Sequence, residues 1–232
     1  MIYRCLILAV LGAIMLATPE GATGNDQYWD FMRKMEKAAI LIRADTGQGA
    51  RAISQGSGVV TIIGGRKWVL TAYHVIEGQR RAQLISLGDK SNGMVYRDAR
   101  WHVRYDIAAL PLPSNMNHLP TFPLTDGYLR KGAPIHVAAF PRGEAKVTHG
   151  FVTSYNNPYN DPLPSQVVFT AAVKPGASGG MILSHDGRLA GIATSSYVYT
   201  DLHGNQTDGQ GIGTPAYVII DLIQQSIRNQ GR

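Results

Sequence analysis

About a dozen short apolar runs, rich in β-branched residues and parted by turns carrying glycine or proline, set the strongest limit on how this chain folds. They fall in two series. Residues 38–43 (AAILIR), 58–63 (GVVTII), 68–72 (WVLTA), 82–87 (AQLISL), 94–105 and 107–112 form the first. Residues 134–140 (PIHVAAF), 147–154, 166–173, 181–184, 189–194 and 211–217 form the second. Between the series lies a stretch punctuated by Pro111, Pro113, Pro120 and Pro123. Short strands at this spacing, with turn residues between them, specify an all-β sandwich or barrel. The alternating strand–helix units of a parallel sheet are missing. Helical spacing is clear at the C-terminal end, where Ile219, Leu222, Ile223 and Ile227 recur, and weaker around residues 28–38. The expected architecture is two β-halves, about 38–112 and 128–217, joined by the proline-rich linker and closed by a C-terminal helix.

The first residues read differently. Arg4 precedes an apolar run at 5–17 (CLILAVLGAIMLA), which Pro19 and the small residues Ala22, Thr23 and Gly24 follow. A charged start, an apolar middle and a small-residue end make a secretory signal. The expected leader is 1–24, with a cut after Gly24 or, alternatively, after Ala17. At thirteen residues the run is shorter than the ~20 a membrane-crossing helix needs. The remaining chain, 25–232, is then a secreted or periplasmic domain with no integral membrane span; an uncleaved N-terminal anchor is the alternative. Cys5 is the single cysteine, so the exported domain carries neither thiol nor disulfide and is not a thiol enzyme. The net charge is +6, but the basic residues are scattered rather than gathered into a stripe, and no nucleic-acid partner is expected.

The sequence GASGG at residues 176–180 satisfies two patterns. One is the nucleophile elbow of α/β-hydrolases, G-x-S-x-G; the other is the G-x-S-G-G that surrounds a protease serine. A plain tight turn is the third reading. A hydroxyl becomes nucleophilic when a base takes its proton and a third group holds that base. His74 stands just after the apolar run at 68–72, and Asp106 just before the run at 107–112. An α/β-hydrolase would need serine, acid and histidine in that order, with a helix directly after the serine. Here Asp186 and Gly187 follow at once, a hairpin signal. The elbow fails on order, on spacing and on the missing helix.

WVLTAYHV (68–75), YDIAAL (105–110) and GASGG occur in the order histidine, aspartate, serine, and in this the chain resembles trypsin-like serine proteases. It is most similar to their bacterial HtrA-like branch. The GSGVV at 56–60, the TAAVKPGASGG at 170–180, the GRLAGI at 187–192 and the GIGTP at 211–215 carry that similarity. The resemblance covers roughly residues 54–225. It implies two six-stranded-type β-barrels with a C-terminal helix; the sequence departs from that branch after the helix, where it stops at Arg232 and no peptide-binding PDZ domain of the usual kind is expected. It also implies Ser178 as nucleophile, His74 as general base, Asp106 as the acid that orients it, and an oxyanion hole from the Gly176 and Ser178 N–H groups. Ala172 would sit at the base of the primary pocket with Ser195, Ser196 and Gly213 as its walls, so small to medium apolar side chains are expected rather than Arg or Lys. Ala177, immediately before the serine, has no charge to pair with a freshly cut N-terminus as digestive members do. The implied activity is endopeptidase hydrolysis of a polypeptide substrate with no cofactor. A non-catalytic binding module of the same fold and an esterase using the same triad are the alternatives. His102, His118, His136, His149, His185 and His203 match no motif, and no spacing suggests a metal site.

Overall fold

The computed structural model describes residues 24–45, 53–96, 99–125, 127–200 and 206–230; the apolar run at 5–17 and His203 lie outside these. A helix, α1 (Gly24–Ala38), leads into seven strands: β1 (Ala39–Asp45), β2 (Ile53–Ile63), β3 (Arg66–Thr71), β4 (Arg81–Ser86), β5 (Ser91–Tyr96), β6 (Arg100–His102) and β7 (Ile107–Pro111). They pair in the order β5-β4-β1-β2-β3-β7-β6. A one-turn helix, α2 (Tyr73–Ile76), follows β3. The second half holds β8 (Pro134–Ala139), β9 (Lys146–Asn156), β10 (Gln166–Phe169), β11 (Met181–Ser184), β12 (Leu189–Thr200) and β13 (Gln206–Pro215), closed as a barrel β10-β13-β12-β11-β8-β9. The helix α3 (Ala216–Gln230) ends the described chain. Among the described residues no helix is long and apolar enough to cross a membrane.

Strand residues alternate between two environments, and both are apolar. In β1, Ile40, Ile42 and Ala44 point into the first half, whereas Ala39 and Leu41 point into the seam between the halves. In β3, Val69 faces inward while Trp68 and Leu70 face the seam. In β11, Ile182 enters the barrel and Met181 and Leu183 enter the seam. Strands buried on both faces read as continuous apolar runs rather than alternating ones, which is why the runs were visible in the sequence. Each large aliphatic side chain hidden this way contributes about 1.5–3 kcal/mol. The helices close the seam: Met35 of α1 and Ile219 and Ile223 of α3 are buried in it.

The structure corrects some boundaries. The run at 94–105 is not one strand: it divides into the end of β5, the short β6 and a 3-10 turn at Val103–Tyr105. The first half therefore has seven strands. The proline-rich linker is not a free tether either. Phe122 N–H donates to the Val60 carbonyl, the Thr61 hydroxyl donates to the Phe122 carbonyl, and Leu189 N–H donates to the Pro123 carbonyl. These bonds strap the linker across both halves.

Candidate active site

The strands β3 and β7 are antiparallel neighbours with Thr71 opposite Ala108, so the residues just past the end of one and just before the start of the other lie side by side. Those residues are His74 and Asp106, 32 positions apart in sequence. His74 rides on α2, which Val75 and Ile76 anchor in the core. Asp106 ends the 3-10 turn in a left-handed conformation (φ 48°, ψ 48°), its N–H bonded to the Val103 carbonyl. Its carboxylate engages His74 twice: Oδ1 accepts the His74 backbone N–H at 2.9 Å, and Oδ2 lies 2.7 Å from Nδ1. The second contact puts the imidazole proton on Nδ1 and leaves the Nε2 lone pair free. The hydrogen bond to Asp106 raises the His74 pKa above its ordinary 6.5; partial burial works against this, and the charges of Asp106 and Glu77 add to the rise.

Ser178 comes from the second half, in the turn between β10 and β11. Glycine lets that turn take its shape: φ is +91° at Gly176 and +87° at Gly179. The turn docks on one residue of the first half, Ser57 of β2. Ser57 N–H donates to the Ser178 carbonyl at 2.7 Å, and its hydroxyl donates to the Gly176 carbonyl at 2.8 Å while accepting Phe140 N–H at 2.8 Å. The Ser57 carbonyl accepts the Thr71 hydroxyl at 2.7 Å. Gly56 separates the serine turn from α2: a Cβ there would lie 2.5 Å from Val75 Cγ2 and 3.0 Å from the Ser178 carbonyl oxygen. Thus the helix carrying His74 and the turn carrying Ser178 approach to within one glycine's thickness. The Ser178 hydroxyl donates to the Thr194 carbonyl at 3.2 Å. Among the described residues, neither the Gly176 nor the Ser178 N–H donates a hydrogen bond, so both remain available to an oxyanion.

The wedged position of Gly179 gives a test of this docking. A Cβ there would stand 1.9 Å from the Ser57 carbonyl oxygen and 2.3 Å from Thr71 Oγ1. Gly179→Ala should cost about 1–3 kcal/mol from overpacking on top of about 1–2 kcal/mol for the left-handed backbone. Gly65, at φ +76° with open space around it, should incur the backbone cost alone when changed to alanine. Chemical denaturation of the two variants decides; equal losses would refute the docking.

The proposed pocket residues are not gathered around one cavity. Ala172 lines a cleft of about 20 Å³ with Val137, Ala139, Thr148 and Ala177. Ser195 and Ser196 lie on β12 opposite Ile212 and Gly211, beside a bulge. Gly213 is opposite Ala193 and Val167, and a Cβ on it would meet Ile182 Cδ1 at 2.5 Å. The Phe169 ring, fully buried, covers Gly211. A cavity of about 380 Å³ is lined by Ile62, Phe122, Pro123, Ile220 and Gln224 among others and by none of His74, Asp106 or Ser178. Among the described residues no three His, Cys, Asp or Glu side chains are grouped to hold a metal ion. His118 pairs with Asp89 at 2.6 Å, and His136 meets His149 across β8 and β9.

Sequence reasoning missed Ser57, Thr71 and Thr194. The available signal was the GSG at 56–58, three small residues that are buried although they precede the apolar run of their strand.

Comparison with known proteins identifies the family. The family described as Trypsin-like peptidase domain matches residues 56–192, more than half of the chain. The chain is 26% identical over 195 residues to the serine protease Do-like HtrA of Lactococcus lactis subsp. cremoris, covering 78% of this chain and 47% of that one. It is 29% identical over 191 residues to a probable periplasmic serine endoprotease DegP-like of Halomonas elongata, covering 80% and 37%. The chain thus spans about half or less of the length of these relatives. Among solved structures, the HtrA-type protease AlgW with tripeptide superposes with a TM-score of 0.69 at 22% identity, covering 88% of this chain and 64% of that one. The serine endoprotease from Yersinia pestis gives 0.69 at 21%, covering 91% and 69%. By its match to the family over residues 56–192, the chain belongs to the trypsin-like peptidase family, and the relatives it resembles include HtrA-type serine proteases.

Proposed function

We propose that this chain is a serine endopeptidase that cleaves polypeptides through an acyl-enzyme on Ser178. The observation that carries the reading is the two-point grip of Asp106 on His74, set beside a serine turn that Ser57 pins in place. In the first step the Ser178 hydroxyl leaves the Thr194 carbonyl and turns toward His74. Its Oγ attacks the peptide carbonyl while Nε2 takes the proton, and the carbonyl oxygen becomes an anion held by the Gly176 and Ser178 N–H groups. Asp106 stabilises the imidazolium that results. Collapse breaks the C–N bond, and His74 returns the proton to the leaving amine. Water then repeats the sequence on the ester, giving an acid and free Ser178. No step calls for a metal or cofactor.

Two finer points belong to the same reading. The leader-like residues 1–24 support export of a domain spanning 25–232, and a relative described as periplasmic supports it too. Ala172 gives the primary pocket no carboxylate, so cleavage after small to medium apolar residues is expected. Mass spectrometry of a digested denatured protein should show such residues before most cuts; a profile dominated by Arg or Lys would overturn the assignment of Ala172. Turnover of that protein, combined with covalent labelling of Ser178 by a fluorophosphonate, tests the function itself. Labelling with ester but no protein turnover marks an esterase, and neither marks a binding module.

A further inference from the structure

The turn that delivers Asp106 is held from two sides. Asp106 is a non-glycine residue in the left-handed region, in a 3-10 turn closed by one backbone bond of 3.1 Å and bracketed by the β6–β7 pair at His102 and Ile107. Such a conformation persists when the surroundings over-determine it. Here the further surroundings come from the other half of the molecule. The Tyr105 hydroxyl donates to Asp161 Oδ2 at 2.9 Å, and the Arg104 guanidinium meets Asp161 Oδ1 at 2.9 Å. Arg104 also donates to the Tyr159 carbonyl at 2.9 Å and lies over the Tyr159 ring at 4.8 Å, while the Tyr105 and Tyr159 rings meet edge to face. From β13, the Thr214 hydroxyl donates to the Tyr105 carbonyl at 2.6 Å.

Asp161 sits in the loop at 157–165 that joins β9 to β10, and that loop is itself braced. The Asn157 side chain accepts Asp161 N–H at 2.9 Å and donates to the Asp161 carbonyl at 2.6 Å. The Tyr217 hydroxyl, at the start of α3, donates to the Pro164 carbonyl. Ser165 N–H closes the loop on the Asn156 carbonyl at 3.1 Å. The Asp161 side chain is 16% exposed, so its bond to Tyr105 is shielded, whereas Arg104 is 45% exposed and its pairing is weakened by water.

We propose that Asp161 is a positioning residue for the Asp106–His74 pair: through Tyr105 it clamps the turn before Asp106 from the opposite barrel and keeps the carboxylate in register with the imidazole. The clamp makes the acid half of the triad depend on how the two halves dock. It rests on the assignment of His74 and Asp106 above, and adds a dependence that their own strands do not supply.

The test compares Asp161→Ala, Tyr105→Phe and the double variant with the unmodified chain. Tyr105→Phe keeps the aromatic packing and removes the hydroxyl alone, so it reads the clamp even if Asp161→Ala fails to fold. A misplacement of about 1 Å costs on the order of 100-fold in rate. Each single change should therefore lower kcat about 10- to 100-fold with KM within about twofold. The acid limb of kcat/KM should move to lower pH, because the hydrogen bond to Asp106, the largest cause of the raised His74 value, weakens while the charges of Asp106 and Glu77 remain. The double variant should be no slower than the slower single one, since both remove one bond. Unchanged kcat and an unmoved limb, or effects that multiply in the double variant, would overturn the clamp. The imidazole titration of His74, followed by NMR, separates this from the function: it should fall in pKa in all three variants. If the unmodified chain neither cleaves nor labels, the endopeptidase reading fails, and an unmoved His74 titration in the variants is then what defeats the clamp.

Discussion

Ser178→Ala should lower kcat on a polypeptide substrate by about four or more orders of magnitude and abolish fluorophosphonate labelling, with thermal stability little changed. The size follows from the role. Without Oγ no acyl-enzyme forms, and the remaining chemistry is water attacking a carbonyl held by the Gly176 and Ser178 N–H groups. The stability expectation follows from the contacts: the hydroxyl makes one bond, 3.2 Å long, to the Thr194 carbonyl, whereas the turn is held by backbone atoms and by Ser57. His74→Ala should cost as much, and the double variant no more than either, because nucleophile and base act as a unit. Undiminished proteolysis by a clean Ser178→Ala preparation would remove the assignment.

The proposed His74, Asp106 and Ser178 stand out in the sequence because each lies near the edge of an apolar run and because their order resembles that of trypsin-like serine proteases. A strand that pairs with its neighbour fixes what stands at its ends, and the order histidine, aspartate, serine then excluded the hydrolase elbow. The supports were not legible. Ser57 binds the Gly176 carbonyl 119 positions away and Phe140 N–H 83 positions away. Such bonds exist only once the halves have docked, and nothing in the local sequence of β2 announces them beyond two glycines flanking a serine. The pocket residues rest on the resemblance alone, Ala172 as the residue six before the serine and Gly213 as a wall; a Cβ on Gly213 would meet Ile182 of β11 and Ile192 of β12, neighbours that no local reading of the sequence supplies.

Elements whose stability comes from burial on both faces were read closely, as at β1, β3, β7 and β11. Elements that lie partly outside the cores were not. The strand β12 continues to Thr200 and β13 begins at Gln206, so Tyr199 pairs with Thr207 in a ribbon that extends past the barrel. The sequence of that ribbon lacks a clean alternation of apolar and polar residues. The helical spacing is weak around 28–38, and the helix α1 begins at Gly24, before any apolar periodicity in the sequence.

Asp106→Asn is expected to lower kcat by about 10⁴-fold while leaving the fold intact. The geometry says why an isosteric change does so much. The His74 backbone N–H needs an acceptor, and Oδ1 supplies it at 2.9 Å; an asparagine must keep its oxygen there. Its amide NH₂ then takes the place of Oδ2, 2.7 Å from Nδ1. An NH₂ donates, so Nδ1 must accept, and the imidazole proton is driven to Nε2. Nε2 is the atom that should receive the Ser178 proton, and in this tautomer it has no lone pair to offer. The pH profile moves with it. In the unmodified chain His74 is raised above 6.5, chiefly by its hydrogen bond to Asp106, and activity should rise with pH as the ring loses its proton. Asparagine removes both that bond and the charge behind it, leaving burial, which lowers the value, and Glu77, which raises it. The acid limb of kcat/KM should therefore shift to lower pH even as the plateau collapses. A variant within about tenfold of the unmodified rate, with its limb unmoved, would mean that Asp106 neither sets the tautomer nor charges the base.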